Sequence, residues 1–82
     1  MYKTVFLKSA VLLESIVKNH AFVDGNKRIG FVASSRFLFI NGYEMNATNK
    51  EVISFVLKVA ESKVGLETSE AWFKKHSKKK TR

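Results

Sequence analysis

The chain contains no cysteine and no proline, and only four of its 82 residues are glycine. Without cysteine, neither a disulfide framework nor a thiolate metal site can form, which fits a reducing compartment. Without proline, little in the chain interrupts a helix. Long hydrophobic runs are also lacking: the N-terminal run at 11–13 is short and ends at Glu14. Neither a signal peptide nor a membrane span is therefore expected. The sequence predicts a cytoplasmic, largely helical protein.

Acidic residues are scarce: 7 Asp and Glu stand against 15 Lys and Arg, giving a net charge of +8. This excess indicates an anionic partner, such as nucleic acid, an acidic protein surface or nucleotide phosphates. Much of the charge falls at the C-terminal end, in a run typical of a solvated, mobile segment. We therefore expect one helical domain at 1–76 and a disordered basic tail at 77–82. A nucleic-acid binder is an alternative but not the expected function, since no aromatic platform or recognition helix is evident.

Hydrophobic periodicity predicts an all-α fold, a small bundle of about four helices with no strand. The first helix covers about 3–19 and is amphipathic. The second runs from near Asn26 to Asn41 and is apolar on almost every side, which is typical of a central buried helix. Within it, Ser34 is expected to donate a hydrogen bond to a carbonyl one turn earlier.

Residues typical of helix ends predict the two remaining helices. Thr48 and Glu51 have the spacing of a capping box, which marks the start of a third helix. Gly65 is expected to end that helix or its immediate tail. A short fourth helix is expected to begin at about 68–69 and to bring Trp72 and Phe73 into the core.

The segment 20–28 gathers the groups that phosphate-transfer chemistry needs. A glycine-containing turn leads into a helix N-terminus, where unpaired N–H groups and the helix dipole favour an anion. Lys27 and Arg28 stand in the first turn, where the dipole disfavours cations, so a bound phosphate would compensate them. Asp24 could hold Mg²⁺ together with phosphate oxygens, and His20 suits a general base near neutral pH. Taken singly, each of these features is more often an ordinary turn or surface residue.

Together these residues follow a specific pattern, His-x-Phe-x-(Asp/Glu/Ala)-(Gly/Ala)-Asn-(Gly/Lys)-Arg. The segment resembles the catalytic loop of the Fic/Doc family, most closely its Doc (death-on-curing) branch, and the similarity covers about 5–76. The resemblance implies a Fic/Doc-like helical core. The matching positions are His20, Phe22, Asp24, Gly25, Asn26, Lys27 and Arg28.

The resemblance also implies a role for each matching residue. His20 would deprotonate a hydroxyl of the target, Phe22 would fix the loop against the core, and Asp24 would bind Mg²⁺. The phosphates of ATP or another nucleoside triphosphate would be held by four consecutive residues, Gly25, Asn26, Lys27 and Arg28.

Two positions distinguish branches of the family. Members that transfer AMP usually have glycine where this chain has Lys27 and a second arginine where it has Phe31. The pattern here resembles the Doc branch, which implies the toxin of a toxin–antitoxin pair that phosphorylates a Ser or Thr of an elongation-factor-type protein. The alternatives are a Fic-type AMP transferase and a truncated, catalytically silent remnant that binds nucleotide or antitoxin.

The family's known segments set two further expectations. Members usually carry a β-hairpin flap that aligns the target, and this chain opens at Met1 almost directly on the helix before the loop. We therefore expect the flap region to be absent, as in a fragment, a minimal member or one half of a split gene. A self-inhibitory helix is not evident either, so inhibition would come from a separate antitoxin protein.

Overall fold

The computed structural model describes residues 4–18 and 25–80, and within these ranges the chain forms four helices and a two-stranded sheet. This confirms the predicted all-α class and the number of helices. The elements are α1 (Val5–Val17), α2 (Gly25–Ile40), β1 (Tyr43–Met45), α3 (Asn49–Ala60), α4 (Leu66–Lys75) and β2 (Ser77–Lys79). None of the described helices is both long and apolar enough to cross a membrane.

The start of α1 is capped and tied to α4 by one side chain. The Thr4 hydroxyl accepts a 3.0 Å hydrogen bond from the backbone N–H of Leu7, and so satisfies one unpaired donor of the first turn. The same hydroxyl donates to the Glu70 carboxylate at 2.6 Å. The cap therefore also positions the N-terminus of α1 against α4.

The predicted capping box of α3 is confirmed, but the next helix boundary was predicted wrongly. Thr48 and Glu51 exchange both hydrogen bonds of the box, and α3 then ends at Ala60 with Glu61 as its C-cap. Gly65 does not end α3. It is the N-cap of α4, which consequently begins at Leu66 rather than at about 68–69. The chain turns instead at Ser62, which takes a left-handed conformation with φ of 60°.

Helix α2 is buried along one stripe only, so the prediction that it lies buried on nearly every side was wrong. Gly30, Ser34 and Leu38 are spaced four residues apart and are all buried. Because the neighbouring described elements cover this side alone, the other side stays open. Val32 is 60% exposed and Ile40 is 71% exposed.

The core forms where α2, α3 and α4 pack against α1. Trp72 and Phe73 reach it as predicted: Phe73 is fully buried and Trp72 packs against the cluster. The buried apolar residues are Ala10, Leu13, Leu38, Phe55, Val56, Val59 and Phe73. They hold α2, α3 and α4 against α1.

The sequence predicted no strand, yet the structure has two, and the second, β2, lies in the segment 77–82 that was expected to be a disordered tail. β2 pairs antiparallel with β1, with Glu44 opposite Lys78, and the backbone N–H of Lys80 donates to the Gly42 carbonyl at 2.8 Å. The ammonium group of Lys80 also lies 3.6 Å from the centre of the Phe39 ring, a cation–π contact. These long-range contacts order residues 77–80, and a local charge pattern does not reveal them.

Candidate active site

The segment that carries the motif connects two helices that pack antiparallel. Ser9 near the start of α1 meets Ser34 of α2, whereas Leu13 and Val17 further along α1 meet Gly30 nearer the start of α2. The C-terminal end of α1 therefore lies beside the N-terminal end of α2. In the sequence, residues 19–24 join these two helix ends.

The spacing of the two helices is fixed by small residues. A Cβ atom at Gly30 would lie 2.9 Å from the Cγ1 of Val17 and 3.1 Å from the Cδ1 of Leu13, so the helices approach as closely as glycine allows. One turn later the Ser34 hydroxyl donates a 3.0 Å hydrogen bond to the Ser9 carbonyl, in place of the predicted bond within its own helix. These contacts hold the two ends of the connecting segment in place.

The N-terminus of α2 carries groups that favour an anion. The helix begins at Gly25, and no acidic residue occupies its first turn. Its first N–H groups have no partner within the helix, and the helix dipole adds partial positive charge at this end. Arg28, whose side chain is exposed, adds a full positive charge. An anion at this helix end would be attracted by all three contributions.

Four of the seven motif residues fall within the described helix, and three do not. Gly25, Asn26, Lys27 and Arg28 form consecutive positions at the start of α2, so the structure places their backbones together. Only the side chain of Arg28 is described among them. His20, Phe22 and Asp24 lie outside the described residues, and the roles assigned to all seven motif residues stay predictions.

Phe31, one of the two positions that distinguish branches of the family, faces the core, whereas Arg36 of the same helix is exposed. Phe31 stacks on Phe73 with ring centroids 6.3 Å apart and meets Trp72 edge-on at 6.1 Å, so it serves packing and not anion binding. Arg36 is exposed, and it lies eight residues beyond Arg28, about 12 Å further along the helix. Arg36 therefore does not replace an arginine at position 31.

Sequence reasoning gave no role to His76, which the structure places in a contact network. Its Nδ1 atom is 2.9 Å from the Trp72 carbonyl oxygen, and its Nε2 atom is 3.7 Å from the Glu51 carboxylate. Since a carbonyl can only accept, Nδ1 carries the proton of that bond. The Trp72 contact has helical spacing, but the contact with Glu51 joins residues 25 positions apart and has no signal in the sequence.

Residues 1–38 match the model of the Fic/DOC family. A segment of 46 residues is 48% identical to a protein named Toxin Doc from Mycolicibacterium smegmatis, covering 56% of this chain and 35% of that protein. The chain thus spans about a third of the length of this relative. No solved structure matches the chain. The segment that matches the family model includes α1, the motif and most of α2, and in this segment the chain is similar to the Fic/DOC family.

Proposed function

We propose that this protein is a Doc-like toxin of a toxin–antitoxin pair. In this proposal it acts in the cytoplasm and transfers a phosphoryl group from a nucleoside triphosphate to a Ser or Thr hydroxyl of a protein. The proposal is supported by the seven-residue motif of the sequence, whose last four residues form the start of α2. Contacts of Gly30 and Ser34 with α1 hold α1 close to this part of α2.

The transfer step assigns one task to each group. His20 takes the proton from the target hydroxyl as its oxygen forms a bond to the γ-phosphorus, and the bond between that phosphorus and the bridging oxygen breaks. The nucleoside diphosphate leaves with the electron pair of the broken bond. The backbone N–H groups at the start of α2, with Lys27 and Arg28, hold the negative charge of the phosphates.

A magnesium ion fits this set of donors. Mg²⁺ binds through one or two carboxylates together with phosphate oxygens. Asp24 supplies one carboxylate immediately before α2, and within residues 4–18 and 25–80 no group of three His, Asp or Glu side chains offers a separate metal site. When bound, the ion would neutralise part of the charge on the nucleotide phosphates.

The preference for phosphoryl over AMP transfer rests on Phe31. In AMP-transferring members an arginine at this position would contribute a charge to the phosphates, whereas here the ring packs against Trp72 and Phe73. Fewer cations along α2 suit a single transferred phosphate. By its similarity to the protein named Toxin Doc, we infer that an antitoxin protein would neutralise this one.

Label transfer to proteins of a cell lysate tests the proposal. Purified protein with Mg²⁺ is given ATP labelled in either the γ- or the α-phosphate, beside His20→Ala as the inactive variant and Arg36→Ala as a matched surface change. We expect label from the γ-phosphate only, lost in His20→Ala and kept in Arg36→Ala. Label from the α-phosphate would identify an AMP transferase instead. No transfer by either donor would refute the transferase proposal.

Expression in bacterial cells tests the biological role. A toxin of this kind should arrest growth when it is induced, whereas His20→Ala should permit growth at equal protein level. Equal arrest by both proteins would contradict a toxicity based on transfer.

A further inference from the structure

An open groove with a volume of about 500 Å³ lies between α3 and α4. This volume falls within the range of ligand pockets, about 300–1,000 Å³. Among the described residues that line it, none belongs to the Fic/Doc motif. The lining residues are Lys50, Glu51, Ser54, Phe55, Lys58, Val64, Thr68, Trp72, Lys75 and His76. We call this feature the α3–α4 groove.

The floor of the α3–α4 groove is aromatic and already stacked. The Phe55 ring lies nearly parallel to Trp72 with centroids 4.0 Å apart, and the His76 ring lies 4.2 Å from Trp72 at an angle of 26°. Two rings this close to a third ring cannot share one of its faces without overlapping, so they cover opposite faces of Trp72. The groove therefore offers apolar surface and ring edges, but no open Trp72 face for a further ring.

Glu51, the one acidic residue among the described lining residues, is held by hydrogen bonds at the start of its own helix. The Glu51 carboxylate accepts hydrogen bonds from the Thr48 backbone N–H at 2.9 Å and from the Thr48 hydroxyl at 3.3 Å, and it faces His76. The backbone hydrogen bond is the main cause that lowers the pKa of Glu51. Glu51 is thus charged at neutral pH but is held by its own helix end.

Three lysines of the lining have no such partner. Among the residues that the structure describes, no carboxylate lies within 4 Å of the ammonium groups of Lys50, Lys58 or Lys75. Lys50 and Lys58 are eight residues apart, which separates them by about 12 Å along α3, while Lys75 stands on α4. The positive charges are therefore spread along and across the groove, and a single compact anion could not contact them all.

We propose that the α3–α4 groove binds an acidic peptide segment of a partner protein, in which two carboxylates flank one large apolar side chain. In an extended chain, residues four positions apart are separated by about 13 Å, which matches the spacing of Lys50 and Lys58. The apolar side chain between them would pack on the edges of the aromatic floor and on Val64. This proposal is independent of the proposed transferase activity, because no residue of the motif takes part in it.

The charges alone would also suit a single-stranded nucleic acid, but the floor does not. Proteins that hold single strands without sequence preference stack bases on open aromatic faces. Here both faces of Trp72 are covered by Phe55 and His76. An acidic peptide needs only apolar contact at this position, so the geometry favours it over a nucleic acid.

The sole tryptophan of the chain, Trp72, reports binding through its fluorescence. The probe is a synthetic peptide containing Glu-Ser-Leu-Ser-Glu, titrated into the full chain. Three control probes replace the leucine by serine, replace both glutamates by lysine, or substitute an oligothymidine strand. We expect a saturable change with a Kd of about 10 μM to 1 mM for the probe peptide, and clearly weaker binding of each control.

Charge reversal locates the site. Lys50→Glu removes one groove cation, and an acidic residue in the first turn of α3 does not weaken the helix. Lys8→Glu changes the net charge equally on the exposed side of α1. We expect Lys50→Glu to weaken peptide binding about three- to tenfold and Lys8→Glu to leave it nearly unchanged, with both variants folded by circular dichroism.

Three results would overturn the proposal. One is the absence of any saturable response to the peptide. Another is equal affinity for the serine-substituted peptide or the oligothymidine, which would identify a general polyanion surface. The third is an equal loss in Lys50→Glu and Lys8→Glu, which would show that net charge alone drives association.

Discussion

Gly30 of α2 lies so close to Val17 of α1 that a Cβ atom at position 30 would be 2.9 Å from the Cγ1 of Val17. Val17 is the last residue of α1, and Gly30 lies in the second turn of α2. The contact therefore stands next to the segment that carries the motif. It makes the distance between the two helix ends depend on the absence of a side chain.

Gly30→Ala should consequently destabilise the protein in spite of the better helix propensity of alanine. Overpacking costs about 1–3 kcal/mol, and the propensity gain returns about 1 kcal/mol, so the expected net loss is about 1 kcal/mol. Urea unfolding measures it. Val17→Ala removes the clashing methyl, and the double variant should lose less than the sum of the two single changes. A more stable Gly30→Ala protein would contradict the close contact.

The hydrogen bond between Ser34 and the Ser9 carbonyl should contribute measurably to the free energy of unfolding because it is buried. Ser34→Ala removes the donor and should cost about 0.5–1.5 kcal/mol in the free energy of unfolding. Ser54→Ala makes the same change at an exposed position in α3 and should stay within about 0.5 kcal/mol of the parent. Equal effects at both positions would mean that the bond between the helices contributes nothing.

The capping box of α3 should make stability depend on pH through Glu51. Its pKa is lower in the folded protein than in the unfolded chain, chiefly because of the backbone hydrogen bond from Thr48. The stabilisation is therefore complete above the unfolded pKa and is lost as the pH falls through the folded pKa. Glu51→Gln should be less stable than the parent at neutral pH, and the difference should shrink in acid.

Urea unfolding at a series of pH values tests this dependence on Glu51. Glu44→Gln is the matched control, since it removes the same charge from an exposed position in β1. A difference between the parent and Glu51→Gln that stays constant from neutral to acid pH would exclude the carboxylate as its source.

Nucleotide binding should depend on Arg28 but not on Arg36. Both side chains are exposed on α2, yet only Arg28 lies in the turn that faces the proposed phosphates. Arg28→Ala should weaken binding of Mg-ATP about tenfold to a hundredfold, because a charge-assisted bond to phosphate is lost. Arg36→Ala should bind as the parent does. Calorimetric titration measures both affinities, and an equal loss in the two variants would indicate a general charge effect.

The sequence predicted elements well where the signal was local. The capping box at Thr48 and Glu51 satisfies unpaired N–H groups within one turn, so its spacing alone marked the start of α3. Helix boundaries without such a local hydrogen bond could not be located from the sequence alone. Gly65 fits both the end of one helix and the start of the next, and the choice depended on the left-handed turn at Ser62.

The buried surface of α2 could not be read from its composition. A helix apolar on every side is expected at a centre, but burial depends on how many neighbours surround it. Here the stripe of Gly30, Ser34 and Leu38 is covered, whereas Val32 and Ile40 stay exposed. In the same way, the pairing of β2 with β1 replaced the expected disordered tail at 77–80.

The sequence by itself determined the helical class, the cap of α3 and the family motif at 20–28, because each depends on residues a few positions apart. Tertiary structure decided the rest: the close approach of Gly30 to Val17, the single buried stripe of α2, and the stacking of Phe55 and His76 on Trp72. These contacts join residues far apart in the chain, and their free energy depends on shape and distance, which no local pattern of residues records.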